Sequence, residues 1–120
     1  MRPVAEQMAA RLFGPEPSSE LTARIMAMML ATSPAGAAAA IRGRAERPDY
    51  QPVLKSLNAP ALVCAGDRDS YSTAEITAEL AGCLPGAEVV VLDGVGHLPN
   101  LERPDVFNEH LLHFLTRALP

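Results

Sequence analysis

The chain has 120 residues, the size of one ordinary domain. Its 48% hydrophobic and 20% charged residues are a globular mixture, which excludes an intrinsically disordered chain. The formal net charge of −4 argues against a nucleic-acid-binding protein, which needs a basic face, and against a protein that binds membranes through a polybasic patch. We therefore expect neither nucleic acid nor a membrane as a partner.

The composition also bears on where the protein resides. The longest uncharged stretch, residues 25–41, is interrupted by Pro34 and Gly36, which indicates two helices rather than a membrane span. The first residues lack the apolar core of a signal peptide. Cys64 and Cys83 match no metal-ligand spacing, which predicts two buried thiols in a reducing cytoplasm. A single lysine and abundant alanine hint at a high-GC bacterial genome.

The first half of the chain has helical patterns. One helix is predicted over about residues 3–13, before a Gly-Pro-Glu-Pro segment that ends it. Ser18 or Ser19 is the expected cap of a second helix, and Ser33 followed by Pro34 starts a third. The second helix has an apolar face, for which ordinary packing is favoured and the lining of an apolar pocket is the alternative. That face comprises Leu21, Ile25, Met28 and Met29.

The second half alternates between strand and helix patterns. Residues 61–65 and residues 88–92 are short apolar runs, typical of interior strands. Between them, Ser72 and Glu75 have the spacing of a capping box and predict a helix. Pro104 begins a last helix. This β-α-β-α order predicts an α/β fold with two parallel strands, a right-handed crossover and flanking helices.

These two helices each have a predicted inner face. The faces are Ile76, Leu80 and Cys83 on the first, and Phe107, Leu111, Phe114, Leu115 and Ala118 on the second. However, a sheet of two parallel strands is unstable alone, because both edges carry unpaired backbone groups and both faces need cover. We therefore expect this chain to be part of a larger fold, or to complete its sheet with a partner through its strand edges.

The loops after the two strands carry the candidate functional residues. Ligands bind at the carboxyl ends of strands in open α/β sheets, and these loops supply Asp69 and His97. A carboxylate bonded to one imidazole nitrogen leaves the other nitrogen free as a general base. The alternative interpretations are a turn aspartate and a solvated loop histidine. A metal site formed by these two residues with Asp67 and Asp93 is a weaker alternative.

The residues around these two loops resemble a known family. Residues 61–69 (ALVCAGDRD) and residues 94–104 (GVGHLPNLERP) resemble the C-terminal portion of the α/β-hydrolase fold. In that family an apolar strand precedes G-x-x-D, and a G-x-G-H turn precedes E-x-P. The resemblance extends over about residues 15–118. It implies that Asp69 is the triad acid and His97 the triad histidine.

The resemblance also implies supporting residues and a division of the chain. Glu102 would tie the histidine loop to neighbouring backbone, and Gly96 would form its turn. Residues 1–48 would be a cap-derived helical segment, and residues 49–120 the C-terminal β-α-β-α part of the hydrolase core, together one incomplete domain. No cofactor and no metal are expected, and His110 and His113 are interpreted as ordinary helix histidines rather than as metal ligands.

The sequence departs from the family pattern at the nucleophile. It contains no G-x-S-x-G elbow and no H-G-type oxyanion segment, and Ser72 is better explained as a helix cap. The intact enzyme is expected to hydrolyse a small ester or lactone-like substrate, whereas the isolated chain is expected to be inactive. A complementing N-terminal hydrolase half, or a second copy of the chain joined through the strand edges, is the expected partner. The alternatives are a non-catalytic interaction module and an inactive truncated gene product.

Overall fold

A computed structural model describes residues 2–118 of the chain. Within that range the chain forms seven helices and two strands. They are α1 (Arg2–Leu12), α2 (Ser19–Ala31), α3 (Pro34–Ala45), α4 (Gln51–Lys55), β1 (Leu62–Gly66), α5 (Ala74–Gly82), β2 (Glu88–Leu92), α6 (Pro99–Glu102) and α7 (Pro104–Ala118).

The strands form a parallel two-stranded sheet, as the sequence predicts. Leu62 pairs with Glu88 and Gly66 with Leu92, so both strands end at the same edge. Helix α5 makes the crossover between them. This α/β arrangement of two parallel strands with flanking helices brings the loop after β1 beside the loop after β2.

Serine caps define the helices of the first half. The Ser18 side chain accepts a hydrogen bond from Leu21 N at 3.1 Å and caps α2. Ser33 accepts one from Gly36 N at 3.0 Å and caps α3. Between residues 2 and 118, no single helix is both long and apolar enough to cross a membrane. The pair α2 and α3 reaches that length and composition together, with a 97° bend at the break between them.

A small apolar core joins α1 to α2. Leu12, Leu21 and Ile25 are buried in one cluster, and Met29 packs against it at half-burial. These contacts confirm most of the predicted apolar face of α2. Met28 is the exception, because it is 59% exposed and lies away from the cluster.

The predicted inner face of α5 is wrong at two of its three positions. Ile76 and Leu80 are 49% and 42% exposed, whereas Cys83 is buried as expected. The buried helix residue is Thr77. The reason is that small residues, rather than the large ones, line the groove between α5 and the sheet. They are Ala74, Thr77, Ala78 and Ala81.

Other side chains are less buried than the sequence predicts. Val89 and Val91 are 48% and 56% exposed, so β2 is not buried on both faces. Cys64 is half-buried rather than buried, and burial raises the pKa of its thiol. All five predicted inner residues of α7 are half-buried. These residues share one cause of exposure. The described chain has only two strands, so its sheet is too small to cover the side chains that face it.

The predicted cap of α5 is also wrong. Thr73, not Ser72, is the N-cap, and its side chain accepts a hydrogen bond from Ile76 N. The Ser72 backbone N–H instead donates to the Asp69 carboxylate at 2.9 Å. Because Asp69 holds Ser72 in the loop, the helix begins one residue later than the capping-box spacing indicates.

Candidate active site

Asp69 lies in the loop after β1, at the carboxyl end of the sheet. Its Oδ1 accepts hydrogen bonds from the backbone of Tyr71 at 2.7 Å and of Ser72 at 2.9 Å. Its Oδ2 lies 2.8 Å from Nδ1 of His97. The side chain is 5% exposed, so the carboxylate is almost fully enclosed by its partners.

These partners determine the ionisation of Asp69. Burial works to raise its pKa, but the hydrogen bonds from the Ser72 backbone, the His97 side chain and the Tyr71 backbone outweigh burial. The result is a carboxyl whose pKa is held below its ordinary value. Asp69 is therefore ionised at neutral pH and accepts hydrogen bonds through both oxygens.

His97 lies in the loop after β2 and faces Asp69. Its backbone N–H donates to the carbonyl of Leu12 at 2.7 Å, which ties the loop to the end of α1. Across residues 2–118, the hydrogen bond to Asp69 is the one that the imidazole makes. With Asp69 ionised, Nδ1 carries the shared proton and Nε2 is left as an acceptor. The His97 side chain is 39% exposed, so a reactant can approach the ring.

Glu102 holds the histidine loop through backbone groups. Its carboxylate accepts hydrogen bonds from Gly96 N at 3.1 Å and from Leu98 N at 3.2 Å. The same carboxylate accepts a third bond from Gly14 N at 2.7 Å, beyond the end of α1. One side chain thus joins the histidine loop to the N-terminal helical segment.

Gly96 is required by close packing at this junction. A Cβ atom at this position would overlap the backbone of Phe13 and Gly14. Its neighbour Val95 is 1% exposed, which makes this loop one of the most enclosed parts of the described chain. The absence of a side chain at Gly96 lets the end of α1 lie directly against His97.

Two residues that the sequence analysis did not single out contact this site. The ring of Tyr71 lies 5.2 Å from the His97 ring, centroid to centroid, with the planes inclined at 56°. The guanidinium carbon of Arg11 lies 4.5 Å from the centroid of the Tyr71 ring. Tyr71 follows Asp69 by two positions, which was the available signal. Nothing in the sequence connects Arg11 to this loop, because 60 positions separate it from Tyr71.

The remaining candidates lie apart from the pair or have ordinary partners. Asp67 accepts a hydrogen bond from Val95 N at 3.3 Å and forms an ion pair with Arg68 at 3.1 Å. Helix α7 carries His110 half-buried and His113 exposed. In the part of the chain that the structure describes, no group of three or more His, Cys, Asp or Glu side chains is placed to hold a metal ion.

The two serines beside Asp69 do not bond the histidine ring in the described part of the chain. The Ser70 hydroxyl donates to the carbonyl of Arg11 at 3.0 Å. Ser72 is bonded through its backbone N–H to Asp69. Since the His97 ring bonds Asp69 alone among residues 2–118, neither serine is hydrogen-bonded to the histidine.

Comparison with known proteins defines the class. The model of the "Alpha/beta hydrolase family" matches residues 2–110. The chain belongs to the α/β-hydrolase family, and its fold is the C-terminal portion of that fold. The resemblance of the two loops to this family is thereby confirmed.

Solved structures and curated relatives agree with this assignment. An esterase from Thermogutta terrifontis matches with a TM-score of 0.91 and 33% identity, covering 98% of this chain and 44% of its own. The enol-lactonase from Burkholderia xenovorans LB400 matches with a TM-score of 0.83 and 28% identity, covering 97% and 45%. A 2-hydroxy-6-oxononadienedioate/2-hydroxy-6-oxononatrienedioate hydrolase from Klebsiella pneumoniae is 32% identical over 71 residues, 59% of this chain and 25% of the relative. The chain thus spans less than half of these proteins.

Proposed function

We propose that Asp69 and His97 are the acid and the base of a serine-type hydrolase that acts on a small ester or lactone-like substrate. The observation that carries the proposal is the 2.8 Å contact between Asp69 Oδ2 and His97 Nδ1, with Nε2 on a partly exposed ring. The substrate class is supported by the esterase and the enol-lactonase among the similar structures.

The chemistry follows from this geometry. His97 Nε2 removes the hydroxyl proton as a serine oxygen attacks the acyl carbon, and it then gives that proton to the leaving oxygen. Asp69 stabilises the imidazolium that forms between these two steps. Water then hydrolyses the acyl-enzyme with His97 again acting as the base. Glu102 and Gly96 support this cycle by holding the loop that carries the histidine.

The nucleophile, in this proposal, comes from a segment outside residues 1–120, in a longer chain or in a second polypeptide. No G-x-S-x-G sequence occurs among the 120 residues. The similar esterase is more than twice as long as the part that this chain covers. Residues 1–48 would then be cap-derived and residues 49–120 part of the hydrolase core. The free cysteines Cys64 and Cys83 support a reducing cytoplasm as the location.

The contact surface for a complementing half is the open edge of the sheet. In residues 2–118, β1 and β2 pair with each other, which leaves one edge of each strand without a strand neighbour. A groove of about 470 Å³ beside them is lined mostly by apolar residues, which include Val89 and Val91. Strands and helices of the other half of the fold would pair with this edge and cover this groove.

The test measures hydrolysis of p-nitrophenyl acetate by the chain alone and by a mixture. The mixture adds a polypeptide that carries the N-terminal half of the fold and its G-x-S-x-G elbow. We expect activity in the mixture, and a loss of about 10³-fold or more with His97→Ala. His113→Ala is the matched control, since His113 is exposed on α7. The proposal would be overturned if the chain alone were as active as the mixture and kept that activity with His97→Ala.

A non-catalytic interaction module is the second candidate function. The observation that favours it is the exposure of Val89 and Val91 on a strand with an open edge. This function predicts a stable oligomer in size-exclusion chromatography and no gain of activity in the mixture. A monomer that unfolds cooperatively would count against it, because the strand edges would then need no partner.

A further inference from the structure

Three side chains from distant parts of the chain form a row of contacts that ends at the histidine of the acid–base pair. Arg11 comes from the last turn of α1, Tyr71 from the loop after β1 and His97 from the loop after β2. The Arg11 guanidinium lies 4.5 Å from the centroid of the Tyr71 ring. That ring in turn lies 5.2 Å from the His97 ring. The stack therefore links the N-terminal helical segment to the imidazole.

The imidazole needs a second contact to be fixed in orientation. Its one hydrogen bond within residues 2–118 joins Nδ1 to Asp69, and its side chain is 39% exposed. The ring reorients by rotation about the Cα–Cβ and Cβ–Cγ bonds, and a single hydrogen bond at Nδ1 opposes that rotation at one atom only. The Tyr71 ring is the aromatic group in contact with the imidazole, and a tilted aromatic contact restricts this rotation.

Tyr71 is itself held in place from several sides. Its backbone N–H donates to Asp69 Oδ1 at 2.7 Å, and its side chain packs against the buried cluster of α1 and α2. The hydroxyl of the preceding residue, Ser70, donates to the Arg11 carbonyl at 3.0 Å, and the Ser70 backbone carbonyl accepts from Arg11 Nη2 at 3.4 Å. Two hydrogen bonds thus join the end of α1 to the residue that precedes Tyr71.

We propose that Tyr71 is a positioning residue that keeps the His97 imidazole turned toward Asp69, and that Arg11 keeps the Tyr71 ring in place. The inference rests on the proposed role of His97 as a general base. The expected chemical consequence is that the His97 imidazole prefers one tautomer over the other. While the ring is held toward Asp69, the proton stays on Nδ1 and Nε2 faces the reactant as an acceptor. When the ring turns away, that preference is lost.

The experiment measures this preference directly in the full chain. We record ¹⁵N spectra of the imidazole groups at neutral pH, with His97 assigned from the His97→Gln variant. Tyr71→Leu is expected to lower the ratio of the Nδ1–H to the Nε2–H tautomer of His97 by about 2- to 10-fold, the loss that corresponds to one aromatic contact. In the same variant the pKa of Asp69 rises toward its ordinary value, because the His97 hydrogen bond that lowers it is made less often.

Matched variants separate positioning from packing. Tyr71→Phe keeps the ring and is expected to keep the wild-type ratio. Tyr50→Leu removes the other tyrosine, which is 52% exposed and precedes α4, and is expected to change nothing at His97. Arg11→Met keeps the apolar stem without the guanidinium and is expected to shift the ratio in the direction of Tyr71→Leu, by less. Arg24→Met on α2 is its control, since Arg24 is also exposed.

The inference is overturned if a folded Tyr71→Leu variant has the wild-type tautomer ratio. If circular dichroism shows that this variant does not fold, Arg11→Met decides, and an unchanged ratio there overturns the inference. In the wild-type chain, absence of nuclear Overhauser contacts between the Tyr71 and His97 rings also overturns it. None of these readouts requires turnover, so an inactive mixture with the expected ratios would refute the proposed function and leave the positioning role standing.

Discussion

The loop that carries His97 and helix α3 differ sharply in how they are packed. In the loop, Val95 is 1% exposed and Gly96 is in direct contact with the backbone beyond α1. Helix α3 has no buried residue, and its Ile41 is 64% exposed. The comparison shows that the tightest packing of this chain lies where the N-terminal segment meets the two loops. Helix α3, farther along that segment, contributes no buried residue to it.

The strongest test of this difference substitutes one glycine in each region. Gly96→Ala is expected to lower the free energy of unfolding by about 4 kcal/mol, because its Cβ overlaps backbone that cannot move aside. Gly43→Ala in α3 meets no atom within 4 Å and is expected to raise it by about 0.5–1 kcal/mol. Urea denaturation followed by circular dichroism measures both. Similar changes in the free energy of unfolding for the two substitutions would contradict the difference in packing between the histidine loop and α3.

A pair of isoleucines extends the test to apolar packing. Ile25→Ala in α2 is expected to cost about 3 kcal/mol of unfolding free energy, since Ile25 is 5% exposed and the variant leaves a cavity. Ile41→Ala in α3 is expected to change stability by less than about 0.5 kcal/mol. The same denaturation curves report both values. A large effect at Ile41 would show that α3 is covered in solution by a partner that residues 2–118 do not supply.

The carboxylate of Glu102 provides a smaller effect. Glu102→Ala leaves three backbone N–H groups without their acceptor and is expected to cost about 2 kcal/mol. Glu102→Gln keeps an acceptor oxygen and is expected to cost less. Glu109→Ala is the control, because Glu109 is exposed on α7. If Glu102→Ala and Glu109→Ala change the free energy of unfolding equally, Glu102 does not stabilise the contact between the histidine loop and the end of α1.

The smallest expected effect is a dependence on pH. Because the folded pKa of Asp69 lies below its unfolded value of about 3.9, its ionisation stabilises the fold above that pH. This contribution disappears as the pH falls through the folded pKa. Asp69→Asn is expected to cost about 1–2 kcal/mol at neutral pH, and the difference from wild type should shrink as the pH falls below about 5. Asp93→Asn, at an exposed loop position, serves as the control, and a difference that does not change with pH would contradict the pKa direction.

Local patterns in the sequence predicted the elements well. The caps Ser18 and Ser33 begin α2 and α3 because their side chains satisfy N–H groups a few positions away, which is a local interaction. The two apolar runs became the paired strands within one residue of the predicted bounds. The proximity of Asp69 and His97 followed from the rule that parallel strands end at a common edge.

The sequence was less informative wherever a distant segment decides the outcome. The cap moved from Ser72 to Thr73 because the Asp69 carboxylate takes the Ser72 N–H, and the acceptor strength of that carboxylate depends on the fold around it. Exposure of Ile76 and Leu80 depends on which elements cover α5. The contact of Arg11 with Tyr71 joins residues far apart in the sequence, so no local pattern could indicate it.

The hydrogen bond between His97 and the end of α1 has an evolutionary consequence. It runs from the His97 backbone N–H to the Leu12 carbonyl, so neither partner is a side chain. The Leu12 side chain lies in the buried cluster of α1 and α2, whereas its carbonyl holds the histidine loop. Substitutions at position 12 can therefore change the packing of that cluster without deleting the backbone bond that locates His97.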